Sequence, residues 1–600
     1  MPDEGLVVVV RCGPIWDGTA LLPLARGVGI WLPLQSDPWN PPEPMKTRDA
    51  VLRSVEGETF DVCVIGAGAT GSGCALDAQL RGLKTVMFDA VDFAGATSST
   101  STKIIHGGVR YLQAAIKGLD RAQFRVVYRA LHERTVMLKN GAYLARPLEF
   151  LIPCFGWADV AYYSVGMKIY DWMAGGASLS SSHFVSREET LRRMPALESE
   201  HLVGSVAYSD GQFDDARFNI ALCLTFADAG GEVLNYARVI RLGKDNNGKL
   251  DSAEIEDCFT GRKVAIRARC FVNATGPFAD TVRHLASPSA APRMRLSKGA
   301  HIVLPLELMP SRDALLIPKT EAGTVLFAIP WMGRLLVGTT EQEVEACDDL
   351  FVSKDDVELL LRRLNPYLAR ALTPESILSG VAGARPLVSE GDVRETKKLS
   401  RDDVCEIDPL TGLVSIMGGK WTTYRAMAED AINAVQNHLG TLVTPSVTRN
   451  HPLSGAAGYS ADYWQSLASG YNLSERTARH LAAKFGTNAP KVLELQNENA
   501  ELAKPILEDL APIRAEVVHC VRHEMALSIE DILFRRLGVQ LYSWRAAINA
   551  APVVAAILAG ELGWSDDVAA SATHEYVAKI NRYLQAAGLA PEPLSDSQTR

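Results

Sequence analysis

The sequence predicts an α/β protein with α+β insertions: a discontinuous Rossmann-like nucleotide-binding domain, a β-sheet substrate domain between its pieces, and a C-terminal α-helical domain. Residues 60–89 read as a complete βαβ unit, buried strands running into glycine turns recur near Gly276 and Gly419, and beyond Pro452 the pattern changes to amphipathic helices. At 600 residues and 65.1 kDa the chain exceeds one hydrophobic core, so several domains are expected. With 47% apolar and 22% charged residues it has the composition of a folded protein. A net charge of −9 offers no electrostatic footprint for nucleic acid, so small or apolar partners are expected. The ten cysteines form no CxxC pair and no Cys/His cluster at zinc spacing, and neither a metal centre nor a disulfide framework is expected.

Residues 1–56 form a leader rich in Pro and Trp, read as a targeting or anchoring segment or as a poorly ordered tail. Asp3, Glu4 and Asp17 depart from the acid-poor composition of a transit peptide. No stretch reads as a membrane span: Leu6–Val10 ends at Arg11, and Thr19–Leu34 is interrupted by Arg26.

From Phe60 to Ile65, β-branched Val62, Val64 and Ile65 mark a buried parallel strand. Gly66, Ala67, Gly68, Ala69, Thr70 and Gly71 then give GxGxxG spacing and open a helix carrying Ala75, Leu76 and Leu80 on one face. A second strand, Thr85 to Phe88, ends on Asp89. The glycines permit a tight turn and let backbone approach a pyrophosphate, whose charge meets the helix N-terminus. Asp89 suits a ribose hydroxyl pair. These parts in this order predict a bound dinucleotide.

The next stretch, ATSSTSTKIIHGGVRYL, sets the hydroxyls of Thr97–Thr102, among them Ser98 and Ser99, before Lys103, His106, Gly107, Gly108, Arg110 and Tyr111. Donors and glycines beside a nucleotide fold predict a loop wrapped around phosphates or a flat ring. Leu119–Lys139 has helical periodicity through Phe124, Val127, Leu131 and Leu138. Phe155–Gly176 interleaves Trp157, Tyr162, Tyr163, Tyr170 and Trp172 with polar residues; it reads first as an internal packing face, second as a face dipping into lipid headgroups.

Between Gly231 and Asn273 short strands recur around the turn Asn246-Asn247-Gly248. Gly243 at the first ligand position and strand-like flanks argue for a plain hairpin and against a calcium loop. The strand Cys270–Asn273 runs into Thr275-Gly276, a second close approach of backbone. Leu296–Thr340 reads as sheet, with His301 inside an apolar strand as a hydrogen-bonded core histidine by default. Arg385 and Arg401 stand in apolar or glycine-rich surroundings, where arginine calls for an anionic partner. A further strand leads to Gly418-Gly419, Lys420 and a helix starting near Thr422, which repeats the geometry of the first motif. In the helical region, Ser528 with Asp531 marks a helix start, and His519 with His523 read as surface histidines.

With GAGATGSGCALDA, ATSSTSTKIIHGGVRYL, VNATGPFAD, HIVLP, GARPL and GGKWTTYRAMAED in this order, the chain from about Glu58 onward resembles the FAD-dependent glycerol-3-phosphate dehydrogenases, particularly the mitochondrial form. The resemblance implies FAD as cofactor and hydride transfer from sn-glycerol 3-phosphate to the flavin, giving dihydroxyacetone phosphate. Electrons would pass to ubiquinone, through a peripheral, monotopic contact with the mitochondrial inner membrane; a homodimer is an assembly the reading allows. Calcium activation, tied to C-terminal hands in the animal enzymes, is not expected. The rival on the same scaffold is an oxidase that passes electrons to oxygen and releases hydrogen peroxide; a rival from another class is a flavoprotein that binds or senses.

In this reading the FAD-binding domain spans 57–118, 201–295 and 380–450, the substrate-binding or cap domain 119–200 and 296–379, and the helical domain 456–600. The cofactor would be held by Gly66–Gly71, Asp89, Ser98, Ser99, Thr102, Lys103, His106, Gly107, Gly108, Thr275, Gly276, Gly418, Gly419, Lys420 and Thr422. A doubly charged phosphate needs guanidinium or ammonium groups, for which Arg110, Arg385, Arg401 and Lys420 are the candidates. His301 is the candidate base, His106 the alternative, and Tyr111 would orient the substrate.

Overall fold

The computed structural model describes residues 46–108, 121–318, 325–346, 349–389 and 403–593, so the leader up to 45, Arg110, Tyr111 and Arg401 lie outside the described residues. The βαβ unit forms where the sequence predicts it: strand Thr59–Ile65, helix Ala69–Leu80, strand Thr85–Phe88. Around it the first sheet runs in the order Asp403–Ile407, Val414–Gly418, Lys263–Asn273, Thr59–Ile65, Thr85–Phe88, Glu232–Leu234. All of these pair in parallel except the edge strand Asp403–Ile407. Val62, Cys63 and Val64 are wholly buried, as expected of a central parallel strand covered on both faces. The strands Ala237–Lys244 and Leu250–Asp257 form the plain hairpin, its turn tied by the amides of Asn247 and Lys249 donating to Asp245 Oδ1 at 2.9 and 2.8 Å.

The second sheet runs Gln342–Val344, Met294–Pro305, Arg334–Gly338, Leu326–Trp331, Ala314–Ile317, Ala145–Cys154, Gly204–Phe213, Ile104-Ile105. Ser379–Val388 adds to Met294–Pro305 along its whole length, and His183–Ser186 adds to Gly204–Phe213. Here the structure departs from the expected partition. Ile104-Ile105, Gly204–Phe213 and Ser379–Val388 pair in the second sheet, although the ranges 57–118, 201–295 and 380–450 group them with the nucleotide-binding pieces. Strand partners are chosen far along the chain, and local periodicity does not name them.

Neighbouring residues on one strand face opposite ways. Leu151 and Ala207 join a core shared with the C-terminal helices, whereas Phe150, Ile152, Val206 and Tyr208 join one with the helix Trp157–Ala174. That helix buries Val160, Met167, Tyr170 and Met173 but leaves Trp157 69%, Tyr162 50%, Val165 62% and Trp172 78% exposed. The expected internal packing face is thus only one side of it. In the helical domain His519 is buried and stacks on His523 with ring centroids 4.7 Å apart, so it is not a surface histidine. Trp544–Leu562 is long and apolar enough to cross a membrane by composition, yet Ala547, Ile548, Ala551, Val554 and Leu558 pack into the helical core.

Candidate active site

Three backbone turns gather around one cleft of about 300 Å³. Its walls include Gly66, Gly68, Ala69, Thr70, Asp89, Ser98, Thr275, Gly276, Gly418, Gly419 and Lys420, eleven of the expected cofactor residues. Gly66 takes φ +100°, and a Cβ there would lie 2.8 Å from the Ala274 carbonyl oxygen, so the first and second turns touch through a glycine. The Ala67 amide donates to Asp89 Oδ2 at 2.6 Å, the Ala69 amide to Ser98 Oγ at 2.9 Å, and Asn219 Nδ2 to the Ala67 carbonyl at 2.8 Å. Trp421 Nε1 donates to the Ser98 carbonyl at 2.9 Å and ties the third turn to the same loop. The result is a helix mouth lined by glycine backbone, an acid at the end of the next strand, and a cleft that all three turns border. That arrangement fits a dinucleotide such as FAD.

Asp89 also bonds the Val91 amide at 3.0 Å. Burial pushes its carboxyl up to about 6, against the two amides that pull it down. Each carboxylate oxygen keeps a second acceptor direction for a ribose hydroxyl.

Thr97 also lines the cleft, whereas residues 99–108 do not; they run between it and the second sheet. Thr97 Oγ1 donates to the Ala384 carbonyl at 2.6 Å, and Thr102 Oγ1 lies 3.0 Å from His301 Nε2. The His106 amide donates to Thr422 Oγ1 at 3.3 Å. Gly107 and Gly108 are buried and not among the cleft's walls, and the Gly107 amide donates to Tyr170 Oη at 2.8 Å. Ser99 and Lys103 are not among the cleft's walls: the Lys103 ammonium is buried against Asp215 and donates to the Ser99 carbonyl at 2.6 Å. It neutralises an acid inside the fold and does not reach the cleft, because a lysine this deep needs a fixed counter-charge.

Arg385 and His301 stand beside that loop on paired strands, and Pro386, next to Arg385, lines the cleft. Two glycines make room for them, and a third for Thr100 of the loop. A Cβ at Gly338 would overlap the His301 ring, one at Gly299 the Arg385 guanidinium, and one at Gly383 the Thr100 hydroxyl. Arg385 donates to Thr339 Oγ1 at 2.6 Å and to the Thr340 carbonyl at 3.2 Å. His301 Nδ1 is buried with no hydrogen-bond partner. Burial first, then the charges of Arg385 and Lys103, lower the His301 pKa to about 3, so the ring is neutral at physiological pH. Sequence reasoning missed Asp215, Asn219, Trp421 and Tyr170; the signal for the first two was a helix, DARFNIALCLTF, with polar residues in an otherwise apolar run.

Residues 61–425 match the FAD dependent oxidoreductases, and residues 446–569 match the C-terminal domain of alpha-glycerophosphate oxidase. The human mitochondrial glycerol-3-phosphate dehydrogenase is 38% identical over 543 residues, which cover 88% of this chain and 74% of that protein. A probable mitochondrial glycerol-3-phosphate dehydrogenase of Dictyostelium discoideum is 40% identical over 526 residues, 85% of this chain and 82% of that protein. The crystal structure of the glycerol-3-phosphate dehydrogenase from Bacillus halodurans complexed with FAD aligns with a TM-score of 0.72 at 27% identity, covering 92% of this chain and 100% of that one. The likeness runs through all three turns, the second sheet and the helical domain, and the chain belongs to the FAD-dependent glycerol-3-phosphate dehydrogenase family.

Proposed function

We propose that the protein oxidises sn-glycerol 3-phosphate to dihydroxyacetone phosphate by hydride transfer from C2 to FAD, and that the electrons pass on to a membrane quinone. The observation that carries this reading is the seam where Arg385 and a neutral His301, given space by Gly299 and Gly338, stand beside a dinucleotide cleft. When bound, the flavin supplies the hydride acceptor. The chain's own residues supply the rest. Arg385 offers a planar fork to the substrate phosphate, and Lys420, on the cleft wall, adds an ammonium; Arg110 and Arg401 belong to the same proposed set, with Tyr111 orienting the carbinol. His301 takes the hydroxyl proton. Thr102 fixes one ring nitrogen, and the buried Nδ1 is the free acceptor when Nε2 carries the hydrogen. A phosphate dianion beside Arg385 would offset one of the charges that depress His301, so substrate binding raises the basicity of the ring as the proton comes free.

A lipid-dissolved quinone requires docking on a bilayer. Trp157, Tyr162, Val165 and Trp172 on the outer side of one helix are the proposed contact, since aromatic side chains settle at headgroup level. The relatives' mitochondrial names support a mitochondrial location, and the inner membrane is the bilayer this reading assigns. Anaerobic addition of glycerol 3-phosphate should bleach the visible flavin absorption, and a soluble quinone analogue should restore it faster than oxygen does. An unbleached flavin refutes the reading. Peroxide released at the full turnover rate would assign an oxidase instead.

A further inference from the structure

Behind the 97–108 loop lies a buried polar group that neither cofactor nor substrate binding accounts for. The Tyr170 hydroxyl, which accepts from the Gly107 amide, donates to the Asp210 carboxylate at 3.0 and 3.1 Å from its two oxygens. Arg134 donates to Asp210 Oδ1 at 2.6 Å, to the Ser209 carbonyl at 3.1 Å and to the Ala177 carbonyl at 2.8 Å. All three side chains are sealed from solvent. A core that needed only shape would place phenylalanine here and no ions, because burying an Arg–Asp pair seldom gains stability over apolar packing. The glycine belongs to the same device: a Cβ on Gly107 would stand 2.7 Å from Tyr170 Oη and 2.8 Å from Leu131 Cδ2. The hydroxyl can therefore meet the backbone only at a residue without a side chain.

What the bond holds is a short span with the site at both ends. Before Gly107 come the His106 amide on Thr422 Oγ1 and, through the two-residue strand Ile104-Ile105, Thr102 against the His301 ring. We propose that Tyr170, backed by Asp210 and Arg134, is a positioning residue for the oxidation: it fixes the 102–107 span and thereby the orientation of His301 against the flavin. This rests on the function proposed above.

The test is Tyr170→Phe in the FAD-loaded protein. Turnover of glycerol 3-phosphate should fall about tenfold or more, as a lost geometry costs about 1.4 kcal/mol per tenfold, while KM changes less than threefold. The visible circular dichroism of the bound flavin should change at unaltered FAD content, a readout that plain core packing would not move. Tyr208→Phe, whose ring is edge-on to Tyr170 at 6.1 Å, should leave both at wild-type values. Wild-type turnover and flavin dichroism in Tyr170→Phe overturn the proposal. Should that variant not fold, Gly107→Ala breaks the same bond from the other side with Asp210 and Arg134 intact, and its turnover decides in the same way. A wild-type flavin that glycerol 3-phosphate does not bleach would instead refute the proposed function, and the dichroism would still test the positioning.

Discussion

On one face of the second sheet, Leu151, Ala207, Ile302 and Leu304 are covered by the C-terminal helices, and buried ion pairs stitch that domain to the nucleotide-binding part. Arg217 meets Glu524 at 2.5 and 2.9 Å, Lys484 meets Asp214 at 2.6 Å, and Arg535 and Arg536 close on Asp92, which sits in the loop three residues past Asp89. On the other face, Phe150, Ile152 and Tyr208 pack against the helix Trp157–Ala174, and the outer side of that helix exposes Trp157, Tyr162, Val165 and Trp172 beside Lys168 and Asp159. The contrast separates two kinds of surface. A permanent interface can hold desolvated charges, because each has a fixed partner and the pairing sets orientation. A surface that meets an apolar medium only part of the time keeps its charges at the solvent and accepts exposed rings, and exposed apolar patches of this kind mark contact sites.

The sharpest way to break this contrast is at the ionic interface. Arg217→Met takes from buried Glu524 its two close hydrogen bonds and leaves only Arg536 Nε at 3.7 Å, and should cost about 3–5 kcal/mol of stability in a denaturant titration. The double variant Arg217→Met, Glu524→Leu should recover most of it. A single-variant loss below about 1 kcal/mol would show that the pair is solvated and the interface weak. Between the two faces, Arg385→Ala should raise KM by roughly ten- to a hundredfold, the loss of a charged hydrogen bond of about 1.5–3 kcal/mol, with the fold intact. An unchanged KM would remove Arg385 from the phosphate site.

Acid should separate the faces as well. Burial pushes the Glu524 carboxyl up, but the charge and hydrogen bonds of Arg217 outweigh it and hold the pKa at about 2. With a native pKa below the unfolded one, this carboxylate stabilises the fold above about pH 4.5, and its contribution is lost as pH falls from there toward 2. The wild type should therefore lose stability over that window, and Arg217→Met, Glu524→Leu should show a flatter acid limb. Identical slopes would assign the acid sensitivity to other groups.

Legibility in the sequence followed distance along the chain. The βαβ unit was readable because its strand, turn, helix and acid are contiguous, and the second strand forms over the same residues, Thr85–Phe88. The turns at Thr275-Gly276 and Gly418-Gly419 were readable because a buried strand ending in glycine is a local pattern. The place of Lys103 was not readable because its partner Asp215 is 112 residues away, so a buried counter-ion reads as a ligand donor. Ser379–Val388 joins the other sheet because its pairing with Met294–Pro305 is set by partners that its own residues do not name. On the helix Trp157–Ala174, Tyr170 turns in and Trp172 turns out, and the composition of that stretch is the same whichever residue faces the core.

The smallest expected effect tests the face with the exposed rings. Trp157→Ser with Trp172→Ser removes two rings that are already exposed, so stability should stay within about 0.5 kcal/mol of wild type. Partition onto vesicles, measured by flotation, should nevertheless weaken by about tenfold or more, since each ring loses apolar area that only lipid would cover. Because the attraction is apolar, raising the salt concentration should change wild-type flotation little. Flotation that salt abolishes would point to lysine and arginine on another surface, and equal flotation of wild type and variant would leave these rings without their proposed partner. The same variant should retain full turnover with a soluble quinone analogue while losing it with a lipid-embedded one. That split would tie the exposed side of the helix to acceptor delivery and not to the chemistry at His301.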